Sequence, residues 1–513
     1  MNKSLWLDQP LPAFPALNRD IQADVLIVGG GITGLTAAWL LKQAGVSVVL
    51  LEKGRLCQGE TGHTTAHISY PTDRRLTSLV KEYGNDRARL IWQGGEAASR
   101  TIVECCEAGD IPCELRHVPG FLYAALDADI AEEAPRLVDD FSNATSLGFA
   151  ASYIQSAPLV NRPAVCFANL LKFHPLKYLA GLARQLRGNG CSVFENSPAE
   201  EFDSKTRRVR SGNFHVSYNK LLLATHVPLV ADRGAVEATL FQTKLAAYTT
   251  YAIEASLPND AVAEALYWDT AEPYFYLRID RCEGGFRVIA GGEDHKTGQV
   301  GDTEIHFDIL WQKLQTILPN AQLERRWSGQ VLETPDELPF IGESDDTEFV
   351  STGYSGTGMT FGTLGALMFR DWVLKRENPW KEVFAANRKP LAHAMDYVTE
   401  NKDYPYHLVK DRLTRPPERA PASLLNGEAM IIIHQGKRVA AYKSEDGRSH
   451  LCSAVCPHMG CNVVWNEAER TWDCPCHGSR FTPEGKVIAG PAESSLTPMD
   501  ECAAQTDSVG DAP

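Results

Sequence analysis

Residues 24–52 read DVLIVGGGITGLTAAWLLKQAGVSVVLLE, and this stretch decides the fold of the larger part of the chain. Asp24 to Gly29 is a short apolar run of strand type, Ile32 to Gln43 has helical spacing, and Val46 to Leu51 is again β-branched and apolar. That order is a βαβ opening. Gly29-x-Gly31-x-x-Gly34, with Ile32 and Thr33 inside it, falls at the turn from strand to helix, and Glu52, followed by Lys53, ends the second strand. Glycines there let the backbone and the helix N-terminus approach a pyrophosphate, and the glutamate can accept hydrogen bonds from ribose hydroxyls. The stretch reads as a dinucleotide site; the plain alternative is a chance glycine-rich turn.

Outward from this opening, mixed α/β patterning runs to about residue 375, with strand-like segments at Lys220 to Ala224 and Phe286 to Ile289 and a last helix expected from Thr360 to Lys375. Charged residues and Pro379, Pro390, Pro405, Pro416, Pro417 and Pro421 then mark residues 378–422 as a linker. Met430 to His434, Lys437 to Tyr442 and Arg448 to Cys452 read as short antiparallel strands of a small β domain at 423–500, and residues 501–513 as a frayed tail without internal repeats elsewhere in the chain. A length of 513 residues with 44% hydrophobic and 22% charged composition fits two or three packed domains. The net charge of -15 argues against nucleic acid or an anionic membrane as the main partner. The most apolar window, Val25 to Leu41, holds four glycines and is too short for a bilayer span, and residues 1–15 lack an export signal, so a cytoplasmic protein without an integral membrane segment is expected.

Cysteine usage is uneven. Seven of the 13 cysteines are scattered before residue 300 and six crowd between Cys452 and Cys502. Residues 456–461 read CPHMGC and 474–481 read CPCHGSRF, so Cys456 and His458 face Cys474 and His477 as two matched Cys/His pairs. A Rieske centre needs two thiolates on one iron and two imidazoles on the other, although zinc accepts the same four ligands. A further cysteine in each loop, Cys461 and Cys476, read as holding equivalent places, has no use in a zinc site.

The stretch from about Gly427 to Pro498, with NEAERTWDCPCHGSRF at 466–481 and the GPA at 490–492, resembles the Rieske domains of respiratory and photosynthetic cytochrome complexes. The resemblance implies Cys456 and Cys474 on one iron, His458 and His477 on the other, a Cys461–Cys476 disulfide, and a hydrogen bond from Ser479 to a bridging sulfide. High-potential members carry tyrosine where this chain has Phe481, which implies a potential in the middle or lower part of the range of about -150 to +300 mV. A ring-hydroxylating oxygenase would place its Rieske domain early, with a catalytic iron domain after it; here the catalytic partner must lie upstream.

Upstream, VLIVGGGITGLTAAWLL, GETGHTTAH at 59–67, LLLATH at 221–226, DELPFIG at 336–342 and GYSGTGMTFG at 353–362 together resemble the D-amino-acid oxidase family of FAD enzymes over roughly residues 20–375. The implied architecture is an α/β (α+β) Rossmann-like FAD domain within 1–377, an inserted antiparallel-sheet substrate part at roughly 225–325, and the C-terminal all-β Rieske domain. The FAD contacts implied are Gly29, Gly31, Ile32, Thr33, Gly34, Glu52, Lys53, Thr61, His63, Thr64, Thr65, Gly356, Gly358, Met359 and Thr360. His63 is read either as a point of covalent flavin attachment or as a hydrogen-bonding loop histidine.

The same resemblance implies oxidation of a small-molecule amine or amino acid by hydride transfer to flavin. Electrons would leave through the Rieske 2Fe-2S cluster to a one-electron acceptor such as a quinone, a cytochrome or a ferredoxin-like protein. Tyr274, Tyr276 and Arg278, in PYFYLRID, alternate as strand residues; they would share a face on which the arginine grips a substrate carboxylate, or else form an ordinary half-buried strand. His295 and Lys296 would lie near the flavin or in a solvated turn. A redox-sensing or electron-transfer module without substrate turnover is the alternative function. Input from NAD(P)H is disfavoured, because there is no second GxGxxG.

Overall fold

The computed structural model describes residues 3–228, 244–258, 262–388 and 416–499. It falls into two compact units, Met1–Lys296 with Thr303–Glu400, and Thr297–Asp302 with Asn401–Pro513. The expected tail at 501–513 and most of the expected linker lie outside the described residues. No described helix is long and apolar enough to cross a membrane.

The first unit is built on an eight-stranded sheet. Its central strand, β1 (Ile21–Val28), lies parallel between Phe214–Leu223 and β2 (Val48–Leu51), and β2 in turn pairs with Cys191–Phe194. Both faces of these strands are buried, Val25, Ile27, Val48 and Leu50 against the Ile32–Gln43 helix and Leu26, Val28, Val49 and Leu51 among Val209, Val216, Tyr218 and Leu221, which is why VLIV and VVLL are continuous apolar runs. Helix α1 (Ile32–Gln43) has the expected bounds, whereas the last helix begins at Gly358, two residues before the expected Thr360, and runs to Val373. These two helices pack closely. A Cβ on Gly362 would come within 2.8 Å of Thr33 Oγ1 and 2.9 Å of the Ile32 side chain.

A second, nine-stranded sheet carries the substrate side. Its long strands Ala246–Pro258, Phe275–Cys282, Gly285–Lys296 and Gln322–Glu333 fall within or near the expected 225–325 segment. The sheet also takes His67–Ile68, Arg116–Tyr123, Ala151–Ile154 and Ala164–Lys172 from much earlier in the chain, joined through the parallel pairing of Leu266–Asp269 with Arg116–Tyr123. The substrate part is therefore made of two chain segments rather than one insertion. Residues 378–388 are not linker either. Phe384 is buried and its carbonyl accepts from Ile341 N at 2.7 Å, while Arg388 forms an ion pair with Asp336 at 2.7 Å, so this stretch belongs to the first unit's core.

The second unit holds a three-stranded antiparallel sheet, Ala429–His434, Lys437–Lys443 and Ser449–Ser453, and a four-stranded one, Val464–Asn466, Thr471–Asp473, Arg480–Phe481 and Val487–Ala489. Trp472, Phe481, Cys456 and Cys474 share one buried cluster.

Candidate functional site

Parallel register brings the nucleotide-side residues together. Val28 lies opposite Leu51, so Gly29 and Glu52 stand at adjacent strand ends. Glu52 accepts from Gly30 N and from Gly54 N, each at 2.8 Å, and every carboxylate oxygen retains a further acceptor position. Gly29 has φ +112, and a Cβ on Gly31 would lie 2.8 Å from Thr61 Oγ1. Gly31 also caps α1 and offers no side chain to the first-turn N–H groups; Thr61 Oγ1 accepts from Ile32 N at 3.2 Å. A glycine-lined approach to a helix start whose own N-cap residue supplies no side chain leaves first-turn N–H donors for a pyrophosphate, so these residues fit the nucleotide half of FAD. Lys53 sits exposed beside them.

The loop at residues 59–67 is held by its carbonyls. Trp327 Nε1 donates to His63 O at 2.8 Å, Trp6 Nε1 to Thr64 O at 2.6 Å, and Arg278 Nη1 to Ala66 O at 2.9 Å. The Thr64 hydroxyl accepts from Ala66 N at 2.9 Å, and His63 Nδ1 lies 3.1 Å from Gly59 O. Trp6 and Trp327 have no counterpart among the expected residues. The available signal was a tryptophan in the otherwise loop-like SLWLDQP that precedes the first strand.

At the start of the Gly358–Val373 helix, Thr360 Oγ1 donates to Ser69 O at 3.1 Å and Met359 packs into the core. Tyr354 OH lies 2.8 Å from Thr33 Oγ1, joining the two glycine-rich turns through a residue that was not anticipated. Gly356 has φ +79, and a Cβ on it would lie 2.7 Å from Asp73 Oδ2 and 3.1 Å from Tyr274 OH. Burial, then the negative charges of Asp294, Glu337 and Glu272, push the Asp73 carboxyl up to about 7.

Of the strand residues proposed to contact substrate, Tyr274 stands beside Gly356 and Asp73, and its ring lies 5.6 Å from that of Tyr276. Arg278 does not serve as expected. It is buried, its Nε donates to Asp280 at 2.8 Å, and its guanidinium stacks over Trp6 at 5.3 Å. Asp280 also pairs with Lys172 at 2.7 Å. An arginine engaged on all these sides holds the loop and the sheet together and is not offered to a carboxylate. His295 belongs neither to a solvated turn nor to this wall: its Nε2 lies 2.9 Å from Tyr251 OH and its ring stacks on His306 at 4.6 Å.

In the second unit, Cys456-Pro-x-x-Gly460 and Cys474-Pro-x-x-Gly478 form the same turn twice. Gly460 N donates to Cys456 O at 3.1 Å and Gly478 N to Cys474 O at 2.9 Å; Cys456 N donates to Cys461 O and Cys474 N to Ser479 O, both at 2.8 Å. Gly460 and Gly478 have φ +79 and +74, a conformation glycine enters without steric cost. The turns bring the His458 and His477 rings to 5.0 Å. Burial lowers both imidazoles, His477 to about 4 with His458 beside it, favouring the neutral form that ligates metal.

Both ring nitrogens of His458 are buried without a hydrogen-bond partner, so either is available to ligate. Ser479 Oγ accepts from Ala492 N at 2.9 Å, which leaves its proton to donate. These residues fit a 2Fe-2S cluster. A disulfide joins Cys461 to Cys476, and the two are not equivalent: Cys461 follows the first turn, whereas Cys476 lies inside the second.

Comparison with known proteins agrees with this division. Residues 24–372 match the family model for FAD dependent oxidoreductases and residues 417–500 that for the Rieske [2Fe-2S] domain. The Bacillus subtilis protein YhfW, named for a Rieske 2Fe-2S iron-sulfur centre, is 32% identical over 498 residues, covering 96% of each chain. The gamma-glutamylputrescine oxidoreductase of Escherichia coli is 27% identical over 361 residues, 68% of this chain and 82% of that one. Among solved structures, glycine oxidase from Geobacillus kaustophilus shares the fold, with a TM-score of 0.60 at 17% identity over 72% of this chain and 99% of that one.

Proposed function

Because the chain belongs to the FAD dependent oxidoreductase family and carries a Rieske [2Fe-2S] domain, binding FAD and a 2Fe-2S cluster, we propose that it is an amine dehydrogenase whose electrons leave one at a time through the cluster. The observation that carries this reading is the presence, in one chain, of the glycine cradle with Glu52 and of the twin Cys/His turns. When bound, FAD supplies a two-electron hydride acceptor and the cluster a one-electron carrier, so the pair converts hydride into single electrons.

The protein's own residues bind and orient. Glu52 and the start of α1 hold the nucleotide, and Thr61 braces that start. Trp6, Trp327 and Arg278 fix the 59–67 loop, and Tyr274, Tyr276 and Asp73 wall the substrate side. The similarity to the gamma-glutamylputrescine oxidoreductase supports a nitrogen-bearing small molecule as the substrate. A one-electron acceptor such as a quinone, a cytochrome or a ferredoxin-like protein, and a cytoplasmic location, belong to the same reading.

The test is an anaerobic screen of primary, secondary and N-methyl amines and amino acids, followed at flavin and cluster absorbances together. Flavin bleaching with prompt cluster reduction is expected. Bleaching with a cluster that stays oxidised overturns the electron order, and absence of bleaching by every amine favours the redox-module function instead.

A further inference from the structure

The side chains gathered beside Gly356 have a distinct chemistry. Asp73 and Tyr274 both stand against Gly356, where a Cβ would lie 2.7 Å from Asp73 Oδ2 and 3.1 Å from Tyr274 OH, and the Tyr274 ring stands 5.6 Å from that of Tyr276 at a 32° tilt. Tyr276 lies across Gly291, where a Cβ would come within 2.3 Å of its hydroxyl, on the strand that carries Asp294, and Thr250 lies at the bulge of the neighbouring strand opposite that stretch. Asp73, Tyr274, Tyr276, Thr250 and Asp294 are thus one continuous wall, with a carboxyl at each end and two aromatic rings between.

The charges around it are mostly of one sign. Those acting on Asp73 are Asp294, Glu337 and Glu272; Asp294 feels Glu272 and Glu293, opposed by His306. The arginine of the same strand, Arg278, is taken up by Asp280 and the Ala66 carbonyl. A second, independent observation points to a ligand. Asp294 Oδ1 is sealed from solvent and has no hydrogen-bond partner, a state that costs free energy until a donor arrives. A cation would supply that donor, relieve the repulsion between the carboxyls and lie against the electron-rich ring faces. A carboxylate in the same place would add like charge and meet no free guanidinium in the wall.

We propose that this wall recognises an aliphatic diamine, so that the amine oxidised by the protein carries a second positively charged nitrogen and no carboxylate, with Asp73 and Asp294 each taking one end. The inference rests on the amine-oxidising function proposed above and narrows its substrate class.

Three compounds that share a five-carbon chain separate the possibilities: cadaverine, pentylamine and δ-aminovalerate. Their binding to the full-length, flavin- and cluster-loaded protein is measured by calorimetry after reduction with dithionite, so that no ligand is oxidised and the result does not depend on turnover. Cadaverine is expected to bind at least about tenfold more tightly than pentylamine, the worth of one charge-assisted hydrogen bond, and δ-aminovalerate more weakly than either. Asp294→Asn and Asp73→Asn, each checked for unchanged flavin content and melting temperature, are expected to shrink the cadaverine advantage below about threefold.

No detectable cadaverine binding at millimolar concentration, tighter binding of δ-aminovalerate, or retention of the advantage in both variants overturns the proposal. Should one variant fail to fold, the other and the wild-type ligand series decide. Diamine binding without flavin bleaching would refute the dehydrogenase function and leave the cation wall standing; bleaching by an α-amino acid without diamine preference would do the reverse.

Discussion

Arg278→Met keeps most of the side-chain length and volume and removes the charge, which separates a structural guanidinium from a substrate-gripping one. Burial alone would raise the Asp280 carboxyl; the Arg278 and Lys172 charges and hydrogen bonds overcome it and bring it down to about 2. Against the ordinary 3.8 or so, this difference is worth about 2–3 kcal/mol in favour of the folded, ionised state. Lys172 remains at 2.7 Å in the variant, so Asp280 is not orphaned, but the bond to Ala66 O and the stacking on Trp6 also disappear. The expected cost is about 2–4 kcal/mol, a fall in melting temperature of roughly 3–8 °C for a unit of this size.

The sign with pH follows from the depressed carboxyl. Its contribution is fully present above the unfolded value near 4 and is lost as pH falls from about 4 toward 2. The wild type should therefore lose stability more steeply than the variant across that window. Thermal unfolding of both holoproteins between neutral pH and pH of about 3 is the assay. An unchanged melting temperature together with substrate affinity weakened tenfold or more would refute this account and restore Arg278 to the substrate.

Gly31→Ala places a methyl 2.8 Å from Thr61 Oγ1, and the purified protein is expected to lose most of its flavin while keeping its iron, read as the flavin-to-iron ratio. Ser479→Ala removes a hydroxyl whose oxygen is already committed to Ala492 N; if its proton stabilises the reduced cluster by about 1–2 kcal/mol, a redox titration should show the midpoint lowered by roughly 45–90 mV with iron retained. Phe481→Tyr buries a hydroxyl at a position with no solvent exposure, and the expected result is a raised midpoint; a lowered melting temperature with the potential unmoved would mean that the hydroxyl finds no sulfur. Acid precipitation should release all flavin to the supernatant, since His63 is engaged with its own loop through Nδ1; yellow colour in the pellet would show covalent attachment.

The βαβ opening was legible because its signals are local: an apolar run, glycines at the turn, and an acid at the second strand's end all lie within residues 24–52. Helix α1 matched its expected bounds for the same reason. The substrate sheet was less legible. Strands as far apart as His67–Ile68 and Gln322–Glu333 share it, and such pairings leave no trace in local periodicity. Residues 378–388 looked like linker because proline and charge dominate nearby, yet Phe384 and Arg388 carry the contacts that fix them to Ile341 and Asp336.

Arg278 shows the limit at the site itself. Alternation placed it on the same strand face as the tyrosines, but only the fold reveals that Asp280, the Ala66 carbonyl and Trp6 have already claimed it. Asp73 and Asp294 carried no signal at all, since an acid in a turn and an acid at a strand end look alike whether they meet water or each other. The doubled CPxxG, at 456–460 and 474–478, was present in the sequence, and its two glycines were the clue to a repeated turn.

That repetition bears on how the metal centre is assembled. With the ligand set proposed for Cys456, His458, Cys474 and His477, each turn would contribute one thiolate and one imidazole, and with thiolates on one iron and imidazoles on the other, neither iron would be served by a single turn. Half of the site therefore has no stable half-product to offer. Loading is expected to be all or none, two irons or zero per chain, and the covalent link between the turns keeps both halves of the mould in register while the chain waits for its metal.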